Sequence, residues 1–356
     1  MQQCLIPSVN KMIGMFRQVI KEIGKNLRMP FDDPLVNISD CEILAGPGLL
    51  GLKGGLFNPG AVVSGDEIIL IAKGLDISPV DAFNDPACFK DYMKGPVVIL
   101  RYDLDMAIKK IAILSAGTYG EDKIEDFRVF NYRGNILSNH VTANPSLEGK
   151  NPVYGRCRQS ISRVDVKENK FIGIGNPRID RPVNMIEKNW CYFEHNEELF
   201  LLYSLDPYLL FKLADWETLE FKVFVDKAIS IREKVNNYLQ VGKKIILSLS
   251  TNPISYDEHH YLMMVHKAYR LWPFCRLYVQ WAMLIDKKSL LPVKVSRKPV
   301  FTGKYARGSV SGVIYTTSVL CLKNDVLIFN GEGDSYLSYA RLSRAKLNRY
   351  FVDISA

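Results

Sequence analysis

One unit recurs along this chain: a short polar cluster runs into a strand, a tight turn, and a second, largely apolar strand. Its clearest copy is IEKNWCYFEHNEELFLLYSLDP at residues 186–207, turned at His195-Asn196-Glu197. In chain order the copies begin FNPGAVVSGDEIILIAKG at Phe57, IEDFRVFNYRGNILSNHV at Ile124, IEKNWCYFEHNEELFLLYS at Ile186, STNPISYDEHHYLMMVHKAY at Ser250 and SGVIYTTSVLCLKNDVLIFNGEGD at Ser311. Starts roughly 60–67 residues apart are long for a single helical repeat and suit a propeller blade of four strands with its loops. The copies share a pattern rather than identity. The fold expected is all-β, a five-bladed β-propeller.

The 356 residues are enough for one large all-β domain or two ordinary ones, either with a full core. From about Asn10 to Arg28 the apolar residues Met12, Ile13, Phe16, Ile20 and Ile23 recur at helical spacing, closed by Pro30. This basic amphipathic helix reads as packing on its own domain rather than on a membrane. Residues 1–45 are therefore taken as a helical and irregular extension, and 46–356 as the propeller domain. The run GPGLLGLKGG at 46–55 lacks the ending of a phosphate loop, which argues against nucleotide binding of that type.

Lys11, Arg17, Lys21 and Lys25 interrupt each early apolar run, so a signal peptide is not expected, and no stretch is long and apolar enough to span a membrane. Cys4, Cys41, Cys88, Cys157, Cys191, Cys275 and Cys321 are widely spaced with no CxxC pair, a pattern of reduced thiols and not of a zinc site. A cytoplasmic protein with no metal and no cofactor is expected. The net charge of +8 is scattered. It argues only weakly for an anionic partner, and a phosphate-bearing small molecule fits at least as well as nucleic acid.

Hairpin turns are expected at Ser64-Gly65-Asp66 and Tyr132-Arg133-Gly134. NPVYGRCRQSISRVDV brings Arg156, Arg158 and Arg163 together on a strand pair. VDKAISIREKVNNYLQ at 225–240 has helical periodicity and reads as an insertion between blades three and four. The tail RAKLNRYFVDIS is expected to supply a closing strand.

In each copy the polar residues precede the first long strand, where a propeller's innermost strand begins. Asn58, Glu125, Asp126, Arg128, Glu187, Lys188, Asn189, Asn252 and His266 would then approach a common axis. Such a funnel of acids, amides and cations suits the hydroxyls of a sugar. Alternatives stand beside each cluster. Asn-Pro at 58–59 and 252–253 is a common turn pair, Glu125-Asp126 could be a solvated loop, and His266 in LMMVHKAY could be a satisfied core histidine. Glu332 and Asp334 in FNGEGDS read equally as surface or funnel. EKNW is the hardest to dismiss, because an acid, a base and an amide directly precede the buried-looking strand WCYF.

With these clusters in order, the chain resembles the five-bladed β-propeller glycosidases, most closely family 130 of the glycoside hydrolases, the mannoside phosphorylases and their relatives. The residues that carry the resemblance are NPGAVV at 58–63, EDFR at 125–128 against that family's Glu-Asp-Pro-Arg, YSLDP at 203–207, the His266 strand, and FNGEGD at 329–334. It covers roughly residues 45–345. It implies that Asp126 is the general acid, protonating the glycosidic oxygen directly or through a sugar hydroxyl. It also implies that Arg128, His266 and Lys188, or one of Arg156 and Arg163, hold phosphate or a nucleotide-sugar phosphate. Asn58, Glu125, Lys188, Asn189, Asn252 and Asp334 would contact the sugar.

Two departures bear on the chemistry. Phe127 stands where the family has Pro, and Glu187 is placed where related furanoside-hydrolysing propellers carry a catalytic Glu. A pair of catalytic carboxylates, Asp126 and Glu187, would suit inversion at a separation of about 6.5–9.5 Å and retention at about 5–5.5 Å. The leading expectation is a glycoside phosphorylase or glycosyltransferase acting on a mannose-like sugar. A hydrolase and a non-catalytic glycan- or protein-binding propeller are the alternatives.

Overall fold

The computed structural model describes residues 33–84, 95–115, 123–144, 156–184, 186–227, 247–272 and 275–354. Strand β1 (Glu42–Ala45) comes first. It is followed by β2 (Gly55–Ser64), β3 (Glu67–Leu75), β4 (Val97–Asp103) and β5 (Ile108–Leu114), which form the first sheet. The second sheet is β6 (Lys123–Tyr132), β7 (Asn135–Asn144), β8 (Arg156–Asp165) and β9 (Lys170–Gly175). The third holds β10 (Arg178–Ile179), β11 (Cys191–His195), β12 (Glu198–Leu205), β13 (Tyr208–Asp215) and β14 (Glu220–Lys227). The fourth holds β15 (Ser248–Leu249), β16 (Ile254–Ser255), β17 (His260–Trp272), β18 (Cys275–Asp286), β19 (Pro292–Ser296) and β20 (Phe301–Thr302). The fifth is β21 (Ile314–Leu322), β22 (Asp325–Glu332) and β23 (Tyr336–Ser343), with β24 (Phe351–Asp353) after it in the chain. Two short helices, α1 (Pro79–Asn84) and α2 (Arg344–Asn348), are the α-helical elements among the described residues.

Two of the turns join adjacent strands through a pair of residues in positive φ. Asn196 and Glu197 at +50° and +64° connect β11 to β12, and Arg133 and Gly134 at +48° and +73° connect β6 to β7. Positive φ at both central residues is the pattern that matches the strands' right-handed twist. Beyond the first of these turns β12 is apolar on consecutive residues, not alternate ones, and packing gives the reason. In β12, Leu199 and Leu201 face the second sheet, while Phe200 and Leu202 face the fourth. A strand sandwiched between two neighbouring sheets buries both faces, and each such side chain adds about 1.5–3 kcal/mol of burial.

The same two-sided packing recurs around the molecule. Ile69, Ile71 and Ile99 of the first sheet meet Phe127, Val129 and Phe171 of the second. Phe130 and Ile161 of the second meet Tyr192 and Phe211 of the third. Phe193 and Phe200 of the third meet Met263 and Trp281 of the fourth, and Leu262 and Met264 of the fourth meet Val319 and Ile328 of the fifth. Leu320, Leu327 and Phe329 of the fifth then meet Ile68, Leu70 and Ala72 of the first. Five apolar interfaces therefore join five sheets in a closed cycle.

The cycle is closed by a different segment from the one expected. The tail strand β24 pairs antiparallel with β19 and lies on the fourth sheet. The fifth sheet is completed by β1, which pairs antiparallel with β23. Residues 42–45, assigned from sequence to the N-terminal extension, are thus part of a sheet. A short strand has too few side chains to declare which edge it will join. The helix expected at about 10–28 lies outside the described residues, as does 228–240 of the expected insertion; Val225, Asp226 and Lys227 end β14.

Candidate active site

The innermost strands of three sheets are interrupted where their polar residues lie. Register shifts fall between Phe57 and Gly60 on β2, between Glu125 and Arg128 on β6, and between Thr316 and Ser318 on β21. Bulges re-aim side chains that a regular strand would turn to its two faces. Asn58 and Asp126 take left-handed φ values of +50° and +59° within them, and Asn189 (+66°) and Asp334 (+52°) do the same outside regular strands. Asn and Asp are the non-glycine residues that tolerate this conformation best. Four residues picked out by sequence therefore share a backbone state that proteins concentrate at working sites.

A network of side chains links all five sheets. Asn58 Nδ2 donates to Asp126 Oδ1 at 2.7 Å, joining the first sheet to the second. Lys188, ahead of β11, forms an ion pair with Glu125. Arg128 is fully buried and donates through Nε to the Ser250 carbonyl at 2.6 Å and through Nη1 to the Asp126 carbonyl at 3.1 Å. Its Nη2 reaches Asn189 Oδ1 at 3.1 Å and the Tyr315 hydroxyl at 2.5 Å. Tyr315 in turn donates to Asn189 Oδ1 at 2.6 Å. Ser250 Oγ lies 2.8 Å from His266 Nδ1.

Burial sets the electrostatics of this cluster. It pushes the Glu125 carboxyl above its ordinary range; the Lys188 ammonium pulls it back, and the Asp126 and Asp334 carboxyls push it further up. Burial, reinforced by the Arg128 charge, lowers His266 to about 3, so its imidazole is neutral at ordinary pH. Lys188, with a quarter of its side chain exposed, is the cation of the cluster that water reaches.

Phe127 fills the position where the resembling family carries Pro, and its ring explains how. It is fully buried, edge-on to Phe171 with centroids 5.7 Å apart, in the interface between the first two sheets. The bulge sends Phe127 into the core and leaves Asp126 against Asn58.

The EKNW segment is held from several sides. Glu187 N donates to the Cys157 carbonyl, Gln159 Nε2 donates to the Glu187 carbonyl, and Asn139 Nδ2 donates to the Trp190 carbonyl at 2.9 Å. The Glu187 carboxylate accepts from the Asn184 backbone N–H, from Trp190 Nε1 at 3.0 Å and from the Tyr203 hydroxyl at 3.1 Å. Three donors from nearby in the chain thus surround it, while Lys188 and Asn189 turn to the second and fifth sheets.

The remaining sequence candidates are distributed unevenly. Asn252 is buried, its Oδ1 accepting from Tyr192 N at 2.8 Å, and so ties β11 to the fourth sheet. His266 lies on the long strand β17, paired with Ser248 of the short β15, and not at the mouth of an innermost strand as expected. Arg163 is exposed on β8 opposite Leu137, toward the turn end of the second sheet. Arg156 opens β8 opposite Asn144, at the end where Glu125 lies, and its side chain lies outside the described residues. Glu332 is fully buried in an ion pair with Arg307, whose Nε and Nη2 grip its two oxygens at 2.9 and 2.6 Å. That pair holds the segment after β20 and separates Glu332 in role from Asp334, whose charge is felt by Glu125 and Tyr278.

Sequence reasoning missed Tyr315 and Tyr278. Tyr278 is half-buried and stacked on His266 at 5.6 Å, and Tyr315 stands edge-on to the same imidazole at 5.0 Å. A hydroxyl-bearing ring in SGVIYTT, just ahead of the bulge in its own copy of the unit, was the available signal for Tyr315. Among the described residues no group of three or more His, Cys, Asp or Glu side chains is placed to hold a metal ion, and no helix is long and apolar enough to cross a membrane.

No protein-family model matches the chain, and no curated protein sequence matches it. Solved structures do. The chain is similar to a β-1,2-mannobiose phosphorylase from Listeria innocua in complex with β-1,2-mannobiose, at 15% identity over 83% of this chain and 91% of that one, with a TM-score of 0.54. It is similar to a GDP-Man-dependent mannosyltransferase from Leishmania mexicana, at 8% identity over 81% and 85% with a TM-score of 0.54. A mannose phosphorylase from the same organism, in complex with phosphate ion, matches at 10% identity over 96% of both chains with a TM-score of 0.51. At such identities the likeness is one of fold. The chain shares the fold of these three proteins.

Proposed function

We propose that the five sheets are the blades of a five-bladed β-propeller, that residues 46–356 form its catalytic domain with β1 added from the preceding segment, and that this domain is a carbohydrate-active enzyme. Its reaction is phosphorolysis of a glycoside or transfer of a glycosyl group, on a mannose-like sugar with phosphate or a nucleotide-sugar as co-substrate. The observation that carries this reading is Asp126: a buried carboxyl, turned by a left-handed residue in a bulge, held by the Asn58 amide, and set among polar groups from every sheet.

In this reading Asp126 gives its proton to the glycosidic oxygen, directly or through a sugar hydroxyl, as phosphate attacks the anomeric carbon. The leaving alcohol departs neutral and Asp126 is left as carboxylate, which the Asn58 N–H stabilises. Lys188 is the cation suited to a phosphate group, with Arg156 at the same end of its sheet. Arg128 acts differently from the expectation. Its donors are engaged by Ser250, Asp126, Asn189 and Tyr315, so it orients the acid's backbone and does not bind phosphate. His266, neutral, takes part as a hydrogen-bonding group and not as a charge. Asn189 and Asp334 line the sugar side.

Hydrolysis by a pair of carboxylates is disfavoured by the three donors around Glu187, which give that residue the part of a brace for the EKNW loop. The protein, incubated with mannose-1-phosphate, with GDP-mannose, and with oligomannosides plus phosphate, tests the reading. Phosphate uptake or release marks a phosphorylase, GDP release marks a transferase, and sugar release without phosphate dependence marks a hydrolase. Binding of mannosides with no turnover in any arm would instead make this a glycan-binding propeller.

A further inference from the structure

Asp126 is held by Asn58, and Asn58 is itself confined by a residue of another sheet. Gly331 lies on β22, paired with Tyr315 on one side and Leu337 on the other. A β-carbon on Gly331 would lie 2.3 Å from Asn58 Oδ1 and 2.7 Å from Asn58 N. Such contacts are far inside van der Waals distance. Asn58 N is backbone within a bulge, so it is not a group that swings aside. Gly331 has no positive φ. The absence of a side chain there is demanded by the approach of Asn58 and not by the conformation of β22.

The amide has two ends with different surroundings. Nδ2 donates to Asp126 at 2.7 Å, while Oδ1 is buried over Gly331 with no hydrogen-bond donor within reach among the described residues. The bulge of β2 is further fixed from the fifth sheet: Thr317 Oγ1 donates to the Pro59 carbonyl at 2.7 Å, and Ala61 N donates to Ser318 Oγ at 2.8 Å. The bulged strand is therefore clamped on its backbone by β21 and seated on β22 at Gly331.

We propose that Gly331 is a positioning residue for Asp126, acting through Asn58: the bare backbone at 331 lets the Asn58 amide sit where its N–H meets the carboxyl of the proposed acid. The proposal rests on the assignment of Asp126 made above. It extends that assignment to a residue on a different sheet that touches neither sugar nor phosphate. A misplacement of about 1 Å at a reacting group costs on the order of a hundredfold in rate.

Crystal structures and kinetics of Gly331→Ala and Asn58→Ala test it. In Gly331→Ala the Asn58 Nδ2 to Asp126 Oδ1 separation is expected to exceed hydrogen-bond distance, with kcat reduced about a hundredfold and KM within about threefold. Asn58→Ala, which leaves Gly331 untouched, should give a similar loss, and the double variant should be little worse than either single one. An Asn58–Asp126 bond retained in Gly331→Ala overturns the proposal, as does additive loss in the double variant. If Gly331→Ala does not fold, an unchanged kcat in Asn58→Ala overturns it on its own. The structural arm does not need turnover: a broken bond in Gly331→Ala, alongside a native protein inactive on every mannoside, sustains the positioning role and refutes the proposed function.

Discussion

Arg128 Nε donates to the Ser250 carbonyl at 2.6 Å, tying a side chain of the second sheet to the backbone of the fourth across the middle of the molecule. The same guanidinium reaches Asn189 of the third sheet and Tyr315 of the fifth. A charge with no solvent exposure is tolerated because its planar fork meets acceptors in several directions.

Replacing that fork should unfold the centre. Arg128→Met leaves the Ser250 and Asp126 carbonyls and Asn189 Oδ1 short of a donor, at a cost of about 3 kcal/mol or more. Arg128→Lys should recover little, since an ammonium cannot span the same acceptors. Urea unfolding measures both. A loss under about 1 kcal/mol in Arg128→Met would contradict the hub role.

Acid should weaken the fold through two histidines. Burial holds His140 and His266 at about 3, against about 6.5 in the unfolded chain. Below pH 6.5 the unfolded state binds protons that the folded state refuses, so stability falls as pH drops from there toward 3. Between about pH 7 and about pH 5 each histidine should account for about 2 kcal/mol of lost stability. Urea titrations at the two pH values, on the native protein and on His140→Leu, check this. The native protein should lose about 2 kcal/mol more than the variant across that interval, and equal losses would contradict it.

Glu187 should behave as a brace. Glu187→Ala strips the partner from Asn184 N–H, Trp190 Nε1 and the Tyr203 hydroxyl and should destabilise by about 2–3 kcal/mol, with a shift in Trp190 fluorescence. Glu187→Gln keeps an acceptor for the indole and should retain turnover within about tenfold, where loss of a general acid or base costs about a hundredfold or more. A loss of that larger size in Glu187→Gln, with the fold intact, would return the residue to the chemistry.

Phe127 should matter for stability first. Phe127→Ala opens a cavity between the first two sheets beside Phe171 and should cost about 3–4 kcal/mol. Thermal unfolding reads the effect, and a change under about 1 kcal/mol would mean that the ring is not packed as described.

Much of this was legible in the residues because local chemistry dictated it. The positive-φ turns at Asn196-Glu197 and Arg133-Gly134, the doubly apolar strands such as LFLLY, and the polar residues ahead of them identify a hairpin unit without knowledge of its neighbours. Asn58, Asp126 and Asn189 were also singled out, as polar residues just ahead of or entering their strands; the left-handed backbone they take was not read. What could not be read was which group meets which across sheets. Nothing in the residues around Arg128 announces Ser250, Asn189 and Tyr315 as its partners, and nothing around Glu187 announces that Trp190 and Tyr203 donate to it. The tail strand, expected only as a closing strand, joined the fourth sheet for the same reason: edge pairing is decided by distant backbone, not by the few residues of β24.

The most direct test is Asp126→Asn, assayed with mannose-1-phosphate, with GDP-mannose, and with oligomannosides plus phosphate, beside thermal unfolding of the same sample. The native protein should turn over one of these donors. Asp126→Asn should lose about a hundredfold to ten-thousandfold in kcat while its melting temperature moves by no more than about 3 °C, because the amide still meets Asn58. Turnover by the variant at the native rate would contradict the assignment of the acid.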